Sequence, residues 1–289
     1  MHSTNCEEIK EMILFPGVTL SHMTLAGEEI RVCHHASSPE VMEINYCHRG
    51  RIGWNMKNGQ CIYLGPGDFS INTQTLCAES VMTLPNGSYE GLSLALDMKE
   101  ARLPALLTEA GISLPAICAS LCPGDGFSVL TGNEKTAPIF EGFYVEEEAY
   151  KRAYCSLKTM ELLLHLSRQR AGDGLQQNRY QSEQVEIIKS IHDYLVEHME
   201  QRITIGMLAD RFPLNTTTIK SVFKAVYGES IAAHIREHRL EKAAELLTTT
   251  DLSIAEIARA IGYNNQSKFS ASFQSAYQML PLEYRRLHH

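Results

Sequence analysis

Residues 203–226, ITIGMLADRFPLNTTTIKSVFKAV, and residues 252–277, LSIAEIARAIGYNNQSKFSASFQSAY, carry one pattern twice. Ile205, Leu208, Ala209 and Phe212 recur 49 residues on as Ile254, Ile257, Ala258 and Ile261, spaced to share one side of a short helix. A turn follows in each copy, Pro213-Leu214-Asn215 in the first and Gly262-Tyr263-Asn264-Asn265 in the second. The second turn is one residue longer, so the offset becomes 50. The next helix then presents Ile219, Val222, Phe223 and Val226 in one copy and Phe269, Phe273 and Tyr277 in the other. Short helix, tight turn and second helix make a helix-turn-helix, and Ala209 and Ala258 are small enough for two helices to cross closely.

Working outward, Ser253-Ile254-Ala255-Glu256 fits a capping box, and Thr204 and Asn215 fit N-caps. Gly262 suits the left-handed residue that closes a helix. Ser230 caps a long helix through Leu247 that separates the two units, with Ile231, Ile235, Ala243 and Leu247 on one side. Ahead of them Val185, Ile188, Ile191, Leu195 and Met199 form an amphipathic stripe able to cover the first unit. The region from about 183 to the end is therefore expected to be all helical.

These residues resemble a known family. Ile254-Ala-Glu-Ile-Ala-x-x-Ile-Gly-Tyr263, Gln266-Ser267-x-Phe269-Ser270-x-x-Phe273 and Pro281-Leu282-Glu283-Tyr284-Arg285 are similar to the AraC/XylS signature. So are Leu208-Ala209, Ile219-Lys220-x-x-Phe223-Lys224, Tyr227-Gly228 and Arg239-Leu240-x-x-Ala243-x-x-Leu246-Leu247, and the likeness covers roughly 185 to 287. The resemblance implies a seven-helix domain whose two recognition helices enter successive major grooves of promoter DNA. Carried onto matching positions, it places DNA contacts at Thr217, Lys220, Ser221 and Lys224, and at Ser267, Lys268 and Ala271. Hydroxyls and amines can read base edges, an alanine methyl can meet a thymine methyl, and Lys224 and Lys268 suit phosphates. Arg236, Arg239 and Arg259 suit phosphates or helix-surface salt bridges.

The sequence departs from the family pattern at Pro213, where a turn glycine is common, so this turn cannot be left-handed there. Ala271 replaces a frequent arginine, Gln274 a lysine and Gln278 a glycine, which implies that the first unit leads recognition. The whole chain of 289 residues has a formal charge of −8. Residues 183–289 hold 12 Lys plus Arg against 13 Asp plus Glu, so a strongly basic footprint is missing. Binding then needs lysines gathered on one face and a partner subunit.

The first half reads differently. Stretches Ile30 to Cys33, Val41 to Cys47, Cys61 to Leu64, Ser80 to Leu84 and Gly91 to Leu96 lie between turns such as Asn58-Gly59, Gly65-Pro66-Gly67-Asp68 and Pro85-Asn86-Gly87. They predict strands of a small barrel or sandwich, and the Gly-Pro-Gly-Asp turn is similar to one in cupin-like sensor domains. A metal cupin enzyme would need a His-x-His pair with a later acid and histidine, and no His-x-His occurs in the barrel region, so neither catalytic residues, a metal nor a cofactor are expected. His34-His35, His48, Cys33, Cys47, Cys61 and Cys77 are conceivable ligands, but thiols are more often small core groups. Cys118 and Cys122 form a pair without a second pair nearby. Arg49 and Arg51 could grip an acidic effector, and Tyr46 and Trp54 could line its pocket, although surface or core packing explains each better.

From Glu146 to Arg168 Tyr150, Ala153, Tyr154, Leu157, Met160 and Leu164 share a helix face, suited to subunit pairing or to packing on the barrel. The expected organisation is thus α+β: a cupin-like β-barrel sensor domain at 1–145, a helical dimerisation segment at 146–168, a linker at 169–182 and a two-unit helix-turn-helix domain at 183–289. The expected function is a sequence-specific regulator, activator or repressor, that responds to an unidentified small-molecule effector. Its partners would be double-stranded promoter DNA, RNA polymerase and a second copy of the chain. The polar start and the want of a long apolar run lead to the expectation of a cytoplasmic protein with no membrane segment.

Overall fold

The computed structural model describes residues 6–27, 31–32, 37–56, 58–77, 80–122, 127–169, 175–176 and 179–288. Cys33, His34-His35 and Arg170 to Gly174 of the expected linker lie outside them, and the side chains of Cys6 and Cys77 are likewise not described. The chain divides into two compact units, Met1–Ser182 and Glu183–His289.

The first unit is dominated by antiparallel strands: β1 Cys6–Phe15, β2 Val18–Ala26, β3 Arg31–Val32, β4 Val41–Gly50, β5 Ile52–Asn55, β6 Gln60–Leu64, β7 Asp68–Thr73, β8 Val81–Thr83, β9 Ser88–Asp97, β10 Phe127–Thr131, β11 Leu175–Gln176 and β12 Arg179–Gln181. One sheet runs β1-β2-β9-β4-β7-β10-β11 and the other β12-β6-β5-β8-β3. Alternation along the strands decides what each face meets. Met42, Ile44 and Tyr46 of β4, in register with Leu96, Leu94 and Leu92 of β9, face a core closed by helices. Those helices are α2 Ala105–Glu109, α3 Leu114–Leu121, α4 Ala137–Glu141 and α5 Glu148–Ser167, a fifth and shorter one, α1 Gln74–Cys77, following β7. Cys47, Tyr89 and Val129, one residue out of phase, pack instead on Ile52, Trp54, Ile62 and Leu64 of the second sheet.

Among the described residues no closed barrel is found: the strands form two separate sheets that lie face to face under helices. The corner is at Gly50, where the chain leaves the first sheet for the second. Its φ is +72°, and a Cβ there would stand 2.2 Å from the carbonyl oxygen of Ser88, so only glycine turns this corner without displacing β9. Part of the expected linker is also sheet, since Arg179 to Gln181 pair with β6. Tyr46 and Trp54 are core residues, Tyr46 stacked on Phe140 with ring centroids 4.1 Å apart.

Helix α5 carries two apolar stripes. Cys155, Thr159, Leu162, Leu163 and Leu166 are buried, whereas Tyr150, Tyr154, Leu157 and Leu164 of the stripe singled out in the sequence are exposed.

The second unit is helical: α6 Ser182–Glu197, α7 Ile205–Arg211, α8 Thr216–Tyr227, α9 Ile231–Thr249, α10 Ile254–Ala260, α11 Gln266–Tyr277 and α12 Pro281–His288. Val185, Ile188, Ile191 and Leu195 are the buried side of α6, as their spacing predicts. Among the described residues no helix is long and apolar enough to cross a membrane.

Candidate nucleic-acid interface

Each recognition helix starts on a side-chain cap. Asn215 accepts from the backbone N–H of Thr218 at 2.9 Å, and Asn265 from that of Lys268 at 2.9 Å. The positioning helices are capped by Thr204 and by Ser253, the latter in a complete capping box with Glu256. These caps satisfy N–H groups that a helix start otherwise leaves open.

The two turns use different chemistry. In the second, Gly262 sits at φ +80°, Tyr263 N–H donates to the Ala258 carbonyl at 2.8 Å and Gly262 N–H to that of Arg259 at 3.1 Å, which is the Schellman closure of α10. In the first, Phe212 is extended (φ −114°, ψ 146°) and Pro213 avoids any left-handed step. Ala258 is buried in the α10–α11 core, but Ala209 keeps part of its surface.

An arginine locks each unit from the following helix. Arg239 of α9 donates to the carbonyls of Met199 and Gln201, just past α6. Arg285 of α12 donates to those of Leu247 and Leu252, at and beyond the end of α9. Of the two roles open to Arg239 in the sequence, phosphate contact or helix-surface salt bridge, neither describes these bonds. Its guanidinium caps backbone carbonyls, and burial holds it below the usual arginine range. Sequence reading missed the device because it joins residues 33 to 40 positions apart.

All seven sequence-predicted contact residues are exposed. Thr217, Lys220, Ser221 and Lys224 form one stripe on α8, and Ser267, Lys268 and Ala271 one patch on α11. The Ser221 hydroxyl donates to the Thr218 carbonyl at 3.1 Å. A cleft of about 950 Å³ brings Lys220 and Lys224 to the same concavity as Lys268 and Ala271. Thr217, Ser221 and Ser267 lie beyond its walls. The charged wall residues are Arg202, Lys220, Lys224, Arg236, Arg239 and Lys268, with no carboxylate among the lining residues. A nearly neutral unit thus segregates its charge: acids such as Glu186, Glu241 and Glu245 stand on other surfaces, where they pair with Lys189, His238 and Lys242. A concave wall of one sign focuses its field on an anionic partner.

Comparison with known proteins finds relatives of the second unit. A helix-turn-helix domain family matches residues 208–287. The xylose operon regulatory protein of Escherichia coli K12 is 35% identical over 99 residues, 34% of this chain and 25% of that protein. The regulatory protein SoxS of Salmonella typhimurium is 30% identical over 100 residues, 35% of this chain and 94% of SoxS. The C-terminal domain of AraT, a response regulator from Geobacillus stearothermophilus, is 33% identical, covering 35% of this chain and 84% of that one at a TM-score of 0.34. The matched stretch is therefore only a quarter of the xylose regulator but nearly all of SoxS.

Proposed function

The chain belongs to the AraC/XylS family of transcriptional regulators, and we propose that it binds double-stranded promoter DNA sequence-specifically through α8 and α11. The observation that carries this reading is the cleft walled by both recognition helices, with six basic residues and no acid. Arg202, Arg236, Lys224 and Lys268 hold the phosphates, while Thr217, Lys220, Ser221, Ser267 and Ala271 meet base edges. The first unit leads, because α8 adds Lys220 and Lys224 to its hydroxyls whereas α11 offers Ala271.

The rest of the proposal concerns the first unit. A cleft of about 790 Å³, lined by Ile139, Leu164, Lys135, His165, Arg168 and Glu161 among others, has the size of a small-molecule site. Two cations, Lys135 and Arg168, against one acid suit a carboxylate-bearing effector. Arg49 stands elsewhere, 3.8 Å from Glu90. The exposed Tyr150, Tyr154, Leu157 and Leu164 of α5 supply an apolar face for a homodimer, and Leu164 belongs to both features. Effector binding would thereby alter subunit pairing and the recruitment of RNA polymerase in the cytoplasm.

The test is binding of the full chain to a selected promoter fragment and to random duplex of equal length, by fluorescence anisotropy. Thr217→Ala with Lys220→Ala is expected to remove the preference for the selected site while leaving salt-sensitive binding to random duplex. Undiminished preference would overturn the assignment of α8.

A further inference from the structure

Away from the DNA-facing cleft, three histidines converge where α6, α8 and α9 meet. One ring nitrogen from each of His192, His234 and His238 lies within 4.8 Å of the others. His234 and His238 are one helical turn apart on α9, so they share a face, and their Nε2 atoms are 3.1 Å apart. His192 comes from α6, its ring stacked on Tyr227 at 4.7 Å. Phe223 of α8 abuts His234 edge-on. The aromatic wall keeps the three rings in place.

Each histidine also has a carboxylate on its other nitrogen. Nδ1 of His192 is 3.1 Å from Asp193, Nδ1 of His234 is 3.1 Å from Glu229, and Nδ1 of His238 is 3.5 Å from Glu241. A neutral imidazole that donates Nδ1–H to a carboxylate leaves its Nε2 lone pair free, the arrangement that orients and strengthens metal-binding histidines. The Nε2 atoms of His234 and His238 face each other across 3.1 Å, a contact that holds one shared proton or, in its place, a cation. Two nitrogens each about 2.05 Å from a tetrahedral ion stand about 3.3 Å apart, so this pair is already at ligand spacing.

We propose that His192, His234 and His238 form a binding site for a zinc-class divalent transition-metal ion, with a fourth position open to water or an exogenous ligand. Three imidazoles select transition ions over magnesium or calcium, which prefer oxygen. The three surrounding carboxylates offset the ion's charge. The opening is on the side of His192 and His238, whose side chains are 20% and 31% exposed, against 8% for His234. An ion held there ties α6 to α9 across the first helix-turn-helix, so metal occupancy stabilises the unit that binds DNA. The inference stands apart from the assignment of the DNA contacts, none of which it uses.

The test uses the untagged full chain, stripped with a chelator and titrated with Zn(II) and with Co(II). One equivalent of Zn(II) is expected, with the intense visible bands of a four-coordinate Co(II) centre and a metal-dependent rise in the Tm followed by far-UV ellipticity. His192→Gln and His238→Gln, both at partly exposed positions, should each abolish the Co(II) bands and weaken Zn(II) by more than the roughly 10–100-fold that loss of an outer partner costs. Glu229→Gln should fall within that 10–100-fold range. A His288→Asn, His289→Asn chain should bind as the parent does. Absence of stoichiometric binding to the parent chain would overturn the proposal. So would binding that survives His192→Gln and His238→Gln together, or is lost with His288 and His289.

Discussion

Gly262→Ala is expected to destabilise the C-terminal unit by about 3 kcal/mol. Two costs add at this position. An L-residue at φ +80° costs roughly 1–2 kcal/mol. The new Cβ would also stand 2.7 Å from the Met199 carbonyl oxygen and 2.8 Å from that of Glu200. These backbone oxygens are poorly placed to yield, because Arg239 holds Met199 and Gln201 by their carbonyls, and such overpacking costs roughly 1–3 kcal/mol. Gln278→Gly isolates the first cost with the opposite sign. Gln278 is the one non-glycine residue at positive φ among the described residues, +57°, and its side chain donates only to the Ser275 carbonyl at the surface, so glycine there should add about 1 kcal/mol. The assay is urea unfolding read by far-UV ellipticity, to which the helices of the second unit contribute most. The single tryptophan, Trp54, is buried in the first unit, so its fluorescence supplies an independent record that should not move. With an m-value of roughly 1–2 kcal/mol/M, the Gly262→Ala midpoint should fall by about 1.5–3 M. A loss no larger than the gain from Gln278→Gly would show that the carbonyls do not enforce the contact.

Asn215→Ala and Asn265→Ala should each cost about 1 kcal/mol and weaken DNA binding through a frayed recognition helix, measurable by the same unfolding assay and by anisotropy; full stability in both would remove the caps from the account. Lys224→Ala should lower the slope of log affinity against log salt by about 0.9, and an unchanged slope would contradict its place on a phosphate. Burial lowers His22 in the first unit, where its Nε2–H donates to the Phe143 carbonyl at 3.2 Å. Below 6.5 the unfolded chain then takes up a proton that the folded chain refuses, so stability is complete above 6.5 and declines as the pH falls toward the folded value. His22→Gln keeps a donor and should flatten this part of the Trp54 unfolding profile, whereas an unaltered profile would place the acid sensitivity elsewhere.

The helix-turn-helix repeat was legible because its information is local. Caps at Asn215 and Ser253, the glycine at 262 and the apolar steps of α7, α8, α10 and α11 act within a few residues of one another, and helical geometry converts that spacing into a face. The strands at Val41, Cys61 and Gly91 were legible for the same reason. Periodicity did not decide whether the strands close into a barrel, because closure depends on which strands pair and at what corner, and Gly50 takes the chain to a second sheet. Nor did it say which of two apolar stripes on α5 turns inward: Cys155, Thr159, Leu162 and Leu166 are as regular as Tyr150, Tyr154, Leu157 and Leu164, and only contact with the core distinguishes them. By composition the C-terminal unit is neutral, yet its fold gathers six bases into one cleft and leaves the acids outside. His192 stands 42 positions before His234, and no spacing rule joins them. The sequence alone determined the repeated helices of the second unit and several strands of the first, since these follow from near neighbours along the chain. The tertiary structure decided what depends on distant neighbours: the arginine locks, the inner face of α5 and the convergence of three imidazoles.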